Sequence, residues 1–115
     1  MCIRDRHNYL SNSGRDLIYE YINSLPEAEK IDGYTVLQHM EKGEFDKILF
    51  KRWEKKVYEV YFQKNNRVFY ITVDKENIYL LHSCRKQKNK TEKKDANIVR
   101  KRAKELGNML GRKFI

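Results

Sequence analysis

At 115 residues, with 40% hydrophobic and 36% charged side chains, the chain has the size of one domain and can bury a single core without metal or disulfide support. Eight Tyr and five Phe argue against disorder, and two distant cysteines, Cys2 and Cys84, suggest neither a disulfide framework nor a zinc site. The net charge of +9 is concentrated: residues 85–104 hold ten of the 25 Lys/Arg and two of the 16 Asp/Glu, a net of +8, and elsewhere fifteen bases face fourteen acids. One basic patch on a nearly neutral domain is the footprint expected for a phosphate backbone.

In chain order, Met1-Cys2-Ile3-Arg4-Asp5-Arg6 shares no pattern with the remainder of the chain. It reads as a non-native or disordered leader (residues 1–6) ahead of a single domain (residues 7–115), the alternative being an ordinary short first strand. From Ser13, a candidate cap, Leu17, Ile18, Tyr21, Ile22 and Leu25 share one helical face, and Pro26 stops the run. A second helix over residues 28–42 places Ile31, Tyr34, Leu37 and Met40 three apart and meets Gly43. The two form a helical hairpin.

The period then changes to two. Residues 48–53, 57–62, 67–73 and 78–84 are rich in Val, Ile, Tyr and Phe and are joined by short polar turns, which predicts an antiparallel four-stranded meander. The last segment opens with Thr91 as a candidate N-cap and repeats Ala96, Val99, Ala103, Leu106 and Leu110 at spacings of three and four. This spacing predicts a C-terminal helix packed on the sheet, its other face (Lys93, Lys94, Arg100, Lys101, Arg102, Lys104) solvated. The fold class is α+β, with or without a fifth short edge strand at residues 7–10. No run is apolar enough to span a membrane or serve as a signal peptide, so the expected compartment is the cytoplasm.

His7, His39 and His82 have no metal-ligand partner at short spacing, and no Gly-rich phosphate loop occurs. No metal site and no cofactor are expected. What remains is nucleic-acid chemistry by cations and aromatics. RNA can be cut when its own 2′-hydroxyl attacks the phosphate, given a base, an acid and cations to hold the developing charge. Arg67, opening a strand, can grip a phosphate bidentately or be an ordinary solvated strand charge. Lys86 and Lys88 can lie beside it on the same sheet edge or in a plain soluble loop. His82 can transfer a proton or be a half-buried residue satisfied by backbone. Tyr58, Tyr61, Tyr70 and Tyr79 offer base stacking or core packing. Glu59 can orient an arginine, act as a base, or be an outward carboxylate balancing Arg52 or Arg67.

Across residues 14–106 the chain resembles the RelE/HigB-like toxins of type II toxin–antitoxin pairs, in particular the phage-derived Gp49-like branch. The resemblance is carried by Val57-Tyr58-Glu59-Val60-Tyr61, by Arg67-Val68-Phe69-Tyr70, and by Leu80-Leu81-His82-Ser83-Cys84-Arg85-Lys86 with Lys90-Thr91 and a helix containing Ala96 after it. Three departures stand out. Tyr61 occupies the place of a usual arginine, Gln87 that of a turn lysine, and Cys84 and Glu92 those of a phenylalanine and a proline. The resemblance implies a RelE-like toxin that cleaves mRNA on the ribosome without metal, and a cognate antitoxin, of helix-turn-helix type or otherwise, that covers the basic site. It places Arg67, Arg85 and Lys86 on the phosphate, with His82 or Tyr70 for proton transfer. Lys88, Lys90, Lys93, Lys94 and Arg100 are expected from charge to be RNA contacts. The alternative is a noncatalytic module of the same fold that binds RNA or a partner.

Overall fold

The computed structural model describes residues 5–63, 65–86 and 91–115. In chain order these form β1 (Asp5–Asn8), α1 (Leu17–Asn23), α2 (Glu27–Glu41), a 3₁₀ turn (Phe45–Lys47), β2 (Leu49–Glu54), β3 (Val57–Phe62), β4 (Asn66–Thr72), β5 (Asn77–Arg85) and α3 (Lys93–Leu110). The sheet order is β1-β5-β4-β3-β2. Strands β2 to β5 are the antiparallel meander that their short turns predict, and β1 joins β5 in parallel at the edge. The architecture is compatible with a RelE-like fold.

Helices pack on both faces of the sheet. Ile18 and Ile22 of α1 and Leu37 and Met40 of α2 pack on Val60, Val68, Tyr70, Ile78 and Leu80. On the opposite face Val99, Ala103 and Leu106 of α3 pack on Val57, Phe69, Ile71, Leu81 and Cys84. Strand β4 is therefore buried from Asn66 to Ile71, which is why its Val68–Ile71 portion is apolar throughout instead of alternating. The β4–β5 register slips between Phe69 and Tyr70, leaving Leu81 opposite no partner. This bulge puts Leu81 and His82 both towards α3.

Several local readings are corrected. Strand β1 starts at Asp5, whose N–H donates to Glu76 O at 2.6 Å and which stands opposite Asn77. Asp5 and Arg6 thus lie in the edge strand, held by backbone pairing that leaves no apolar pattern in the sequence; residues 1–4 lie outside the described residues. Asp16, not Ser13, caps α1, its Oδ1 accepting from Tyr19 N at 2.8 Å. In α2 the buried line is Glu29, Gly33, Leu37 and Met40, while Ile31 is 56% exposed. The stripe turns because α2 meets α1 and β3 closely at Gly33, where a Cβ would stand 3.1 Å from Ile22 Cγ2 and 3.3 Å from Phe62 Cζ.

At α3 the N-cap is Glu92 and not Thr91, and Leu110 is exposed. Gly111, at φ 66°, ends the helix in the left-handed conformation. The chain then returns so that Phe114 fills the place expected of Leu110 in the core. Arg102, expected in solvent, lies half-buried, donating to Leu81 O at 2.8 Å with its guanidinium 4.0 Å from the Tyr9 ring centre. Among the described residues no helix is long and apolar enough to cross a membrane.

Candidate functional site

Alternation along β3 sends Val57, Glu59 and Tyr61 to the α3 side, and cross-strand pairing sets Arg67 opposite Tyr61. Glu59 is fully buried, and its carboxylate organises the site. Lys86, 5% exposed, donates from Nζ to both carboxylate oxygens at 2.8 and 3.0 Å. Arg67, 7% exposed, brings Nε to 3.3 Å from Oε1, and Lys51 Nζ stands 4.0 Å away. Three cations among the described residues thus converge on one anion. A buried carboxylate is tolerable only with such compensation.

Arg67 lies flat along the sheet instead of presenting an outward fork. Its guanidinium carbon is 4.8 Å from the Tyr61 ring centre, and its Nη1 donates to Asn66 O at 3.1 Å. Its Nε is close enough to Glu59 for ion pairing but has no aligned hydrogen-bond acceptor among the described residues. Tyr61, standing where the resemblance expects an arginine, therefore serves as the surface that Arg67 rests on.

Next to this cluster opens a cavity of about 380 Å³, lined by Lys51, Arg52, Trp53, Glu59, Lys86, Thr91, Ala96 and Arg100. Among the described lining residues, four cations surround a single carboxylate. Arg100 lies over Trp53 at 5.3 Å and donates to Glu54 Oε2 at 3.0 Å, so it is held in place at the rim. Thr91 Oγ1 is buried without a hydrogen-bond partner among the described residues. The arrangement suits an anionic, phosphate-bearing ligand.

The remaining expected residues are distributed otherwise. Arg85 and Lys86 are sequence neighbours on an extended strand end, so they point to opposite faces. Arg85 Nη2 donates to Glu29 Oε1 of α2 at 2.7 Å, on the α1/α2 side. The trio of Arg67, Arg85 and Lys86 is therefore split. Tyr70 is buried on the α1/α2 side as well. Lys93 and Lys94 are exposed in the first turn of α3. Lys88 and Lys90 lie outside the described residues.

His82 is engaged on both nitrogens. Nε2 pairs with Asp95 Oδ1 at 2.8 Å, and Arg102 Nη1 stands 3.3 Å from Nδ1. A proton on Nε2, with the Nδ1 lone pair facing Arg102, is the tautomer these partners select. Burial lowers its pKa below the ordinary histidine value, partly opposed by Asp95, so the neutral ring prevails near pH 7. The Cys84 thiol nearby is pushed up to about 12, chiefly by burial. Ligand atoms of His82, Cys84 and Asp95 lie within 4.8 Å of one another, a grouping hidden in the sequence because Asp95 comes from the next element. The Arg102 guanidinium and the protonated thiol suit a hydrogen-bonded core better than a divalent ion.

In the sequence Glu59 has the pattern of an outward strand charge, and nothing local connects it with Lys86, 27 residues away. Lys51 and Thr91 are additions to the expected site. A lysine and a carboxylate in register on neighbouring strands, Lys51 opposite Glu59, is the signal that points to the first.

The family model described as "Phage derived protein Gp49-like (DUF891)" matches residues 20–104. This span contains every residue of the Glu59 cluster and its cavity. The search of curated proteins finds no match.

Proposed function

Because the chain belongs to the phage-derived Gp49-like family, a toxin-like family associated with RelE-type toxins, we propose that it is the toxin of a toxin–antitoxin pair and cleaves mRNA on the ribosome. The observation that carries this reading is the convergence of Lys86, Arg67 and Lys51 on the buried Glu59 at a cation-lined cavity. Charges fixed in this way need no reorganisation when negative charge builds on a phosphorane. In the proposed reaction the ribose 2′-oxygen forms a bond to phosphorus and loses its proton, while the phosphorus–O5′ bond breaks and O5′ gains a proton. The products are a 2′,3′-cyclic phosphate and a 5′-hydroxyl, and the step consumes no water or metal.

Lys86, Lys51 and Arg100 are assigned to the phosphate. Arg67 and Glu59 are positioning residues: Glu59 fixes the Lys86 ammonium, and Arg67 shares the carboxylate and lends long-range positive potential. His82, Arg85 and Tyr70 carry no part of this reading, because each is engaged away from the cavity. An antitoxin acting on this site needs acidic groups to cover the four cations.

The noncatalytic alternative is favoured by one observation. Both oxygens of Glu59 are held by Lys86, which leaves the cavity without a free carboxylate base among the described residues. Purified protein on programmed ribosomes separates the two readings. Cleavage is expected to persist in excess chelator, with ribosome integrity controlled, and to leave cyclic phosphate ends. Ribosome or RNA binding with the message left whole establishes the noncatalytic module instead.

A further inference from the structure

The face opposite the Glu59 cluster holds a second cavity, of about 500 Å³, lined by Phe45, Phe50, Tyr58 and Tyr70 together with Arg52, Lys55, Lys56 and Thr72. The four rings touch in a closed circuit. Phe45 meets Phe50 with centroids 5.5 Å apart, Phe50 meets Tyr58 at 6.5 Å, Tyr58 meets Tyr70 at 6.0 Å, and Tyr70 returns to Phe45 at 6.0 Å. Tyr70 is the buried floor, whereas Phe50 is 41% exposed at the mouth. Helix α1 covers β5 and α2 reaches β3, which leaves this corner by β2 open.

Aromatic cages of this kind ordinarily attract cations. Here the rim forbids it. Arg52 already stands 5.8 Å from the Tyr58 ring centre, and Lys55 and Lys56 add two further positive charges with no carboxylate among the described lining residues. A ligand that satisfies both parts has a flat aromatic group for the rings and a negative group for the rim. An unpaired nucleotide has both.

The turn supplies a second, independent observation. Lys55 and Lys56 form the two-residue connection between β2 and β3, and Lys55 sits at φ 52°. Glycine, asparagine or aspartate fills such a position at little conformational cost, and a lysine there is strained. The backbone is held in a glycine-like conformation by a residue whose evident contribution is its charge at the cavity rim.

We propose that this aromatic cavity binds a single unpaired nucleotide of an RNA strand, its base against Phe50 and Tyr58 and its phosphate at Arg52, Lys55 and Lys56. The site lies on the other side of the sheet from the Glu59 cavity and goes beyond the cleavage reading. A protein that binds RNA here without cutting it satisfies the proposal equally.

The test uses the full chain and a short single-stranded oligoribonucleotide carrying fluorescein and one 4-thiouridine. Phe50→Leu keeps apolar packing but removes the ring face. It is expected to weaken binding by roughly 5- to 150-fold, the range that corresponds to about 1–3 kcal/mol of base–aromatic stacking, with the salt dependence unchanged. Lys55→Gly relieves the backbone and removes the charge, so it is expected to raise thermal stability, weaken RNA binding, and flatten the salt slope by about 0.7. Photocrosslinks are expected on the β2–β3 hairpin at Phe50 or Tyr58. Unchanged affinity in Phe50→Leu with crosslinks confined to α3 and Lys51 overturns the proposal.

Discussion

Among the described residues, both faces of the sheet have cations near a cavity, with Arg52 reaching both, but arrange them in opposite ways. On the α3 side Lys86 and Arg67 are buried and tied to Glu59. On the α1/α2 side the cations stand on the rim of an aromatic cavity with no carboxylate among its described lining residues. The first arrangement fixes charge at the cost of desolvation; the second leaves charge solvated and exposes ring faces. Fixed charge suits a transition state, and accessible rings suit binding. One twisted sheet, through alternation alone, supports both.

The sharpest way to break this comparison is to remove the anion on which the α3-side cluster rests. Glu59→Gln leaves Lys86 and Arg67 buried with no counter-charge, which should cost about 3–5 kcal/mol, the usual penalty for breaking a buried pair from one side. Urea denaturation measures it. A loss under about 1 kcal/mol would mean that water reaches the cluster and that its charges are not held in place.

The next largest effect compares two neighbours. Lys86 faces the Glu59 cavity and Arg85 faces α2, so Lys86→Ala should slow message cleavage roughly 10²- to 10³-fold, equivalent to about 2.7–4 kcal/mol. Arg85→Ala should slow it less than about tenfold. Equal losses would show that the β5 end acts as one diffuse basic patch, as the charge run alone suggests. On the stability side, Leu106, buried between α3 and the sheet, should cost about 2–4 kcal/mol when changed to Ala. A thermal melt near that of the unaltered protein would mean that α3 is not anchored over the site.

How far the sequence foretold this depends on the distance between the residues concerned. The meander and α3 were legible because Val57–Phe62 alternates and Ala96, Val99, Ala103 and Leu106 recur at helical spacing, and each signal sits within one element. The Glu59–Lys86 pair was not, since it joins β3 to the residue that follows β5, with β4 between those strands. Nor was the split between Arg85 and Lys86, because charge density has no direction until the strand assigns faces. Ile31 misled for a related reason. Its period fits the apolar stripe, but the close approach at Gly33 decides which side of α2 meets the sheet.

The smallest expected effect concerns His82 and tests whether the α3 face excludes protons as well as water. Burial lowers the His82 pKa, Asp95 raises it less, and Arg102 and Lys94 lower it further. In the unfolded chain the ring titrates near its ordinary value of about 6.5. Below that pH the unfolded state therefore binds a proton that the folded state does not, so stability is fully present above about 6.5 and declines as pH falls towards the depressed folded value. The slope from one such proton is at most about 1.4 kcal/mol per pH unit. Urea midpoints at about pH 7.5 and about pH 5.5, on either side of the ordinary histidine value, measure it, and His82→Gln should flatten the difference between them. If the unaltered protein instead gains stability on acidification and His82→Gln abolishes the gain, Asp95 outweighs burial. The ring would then be an imidazolium paired with Asp95, and the α3 face would hold one more buried cation beside Lys86 and Arg67.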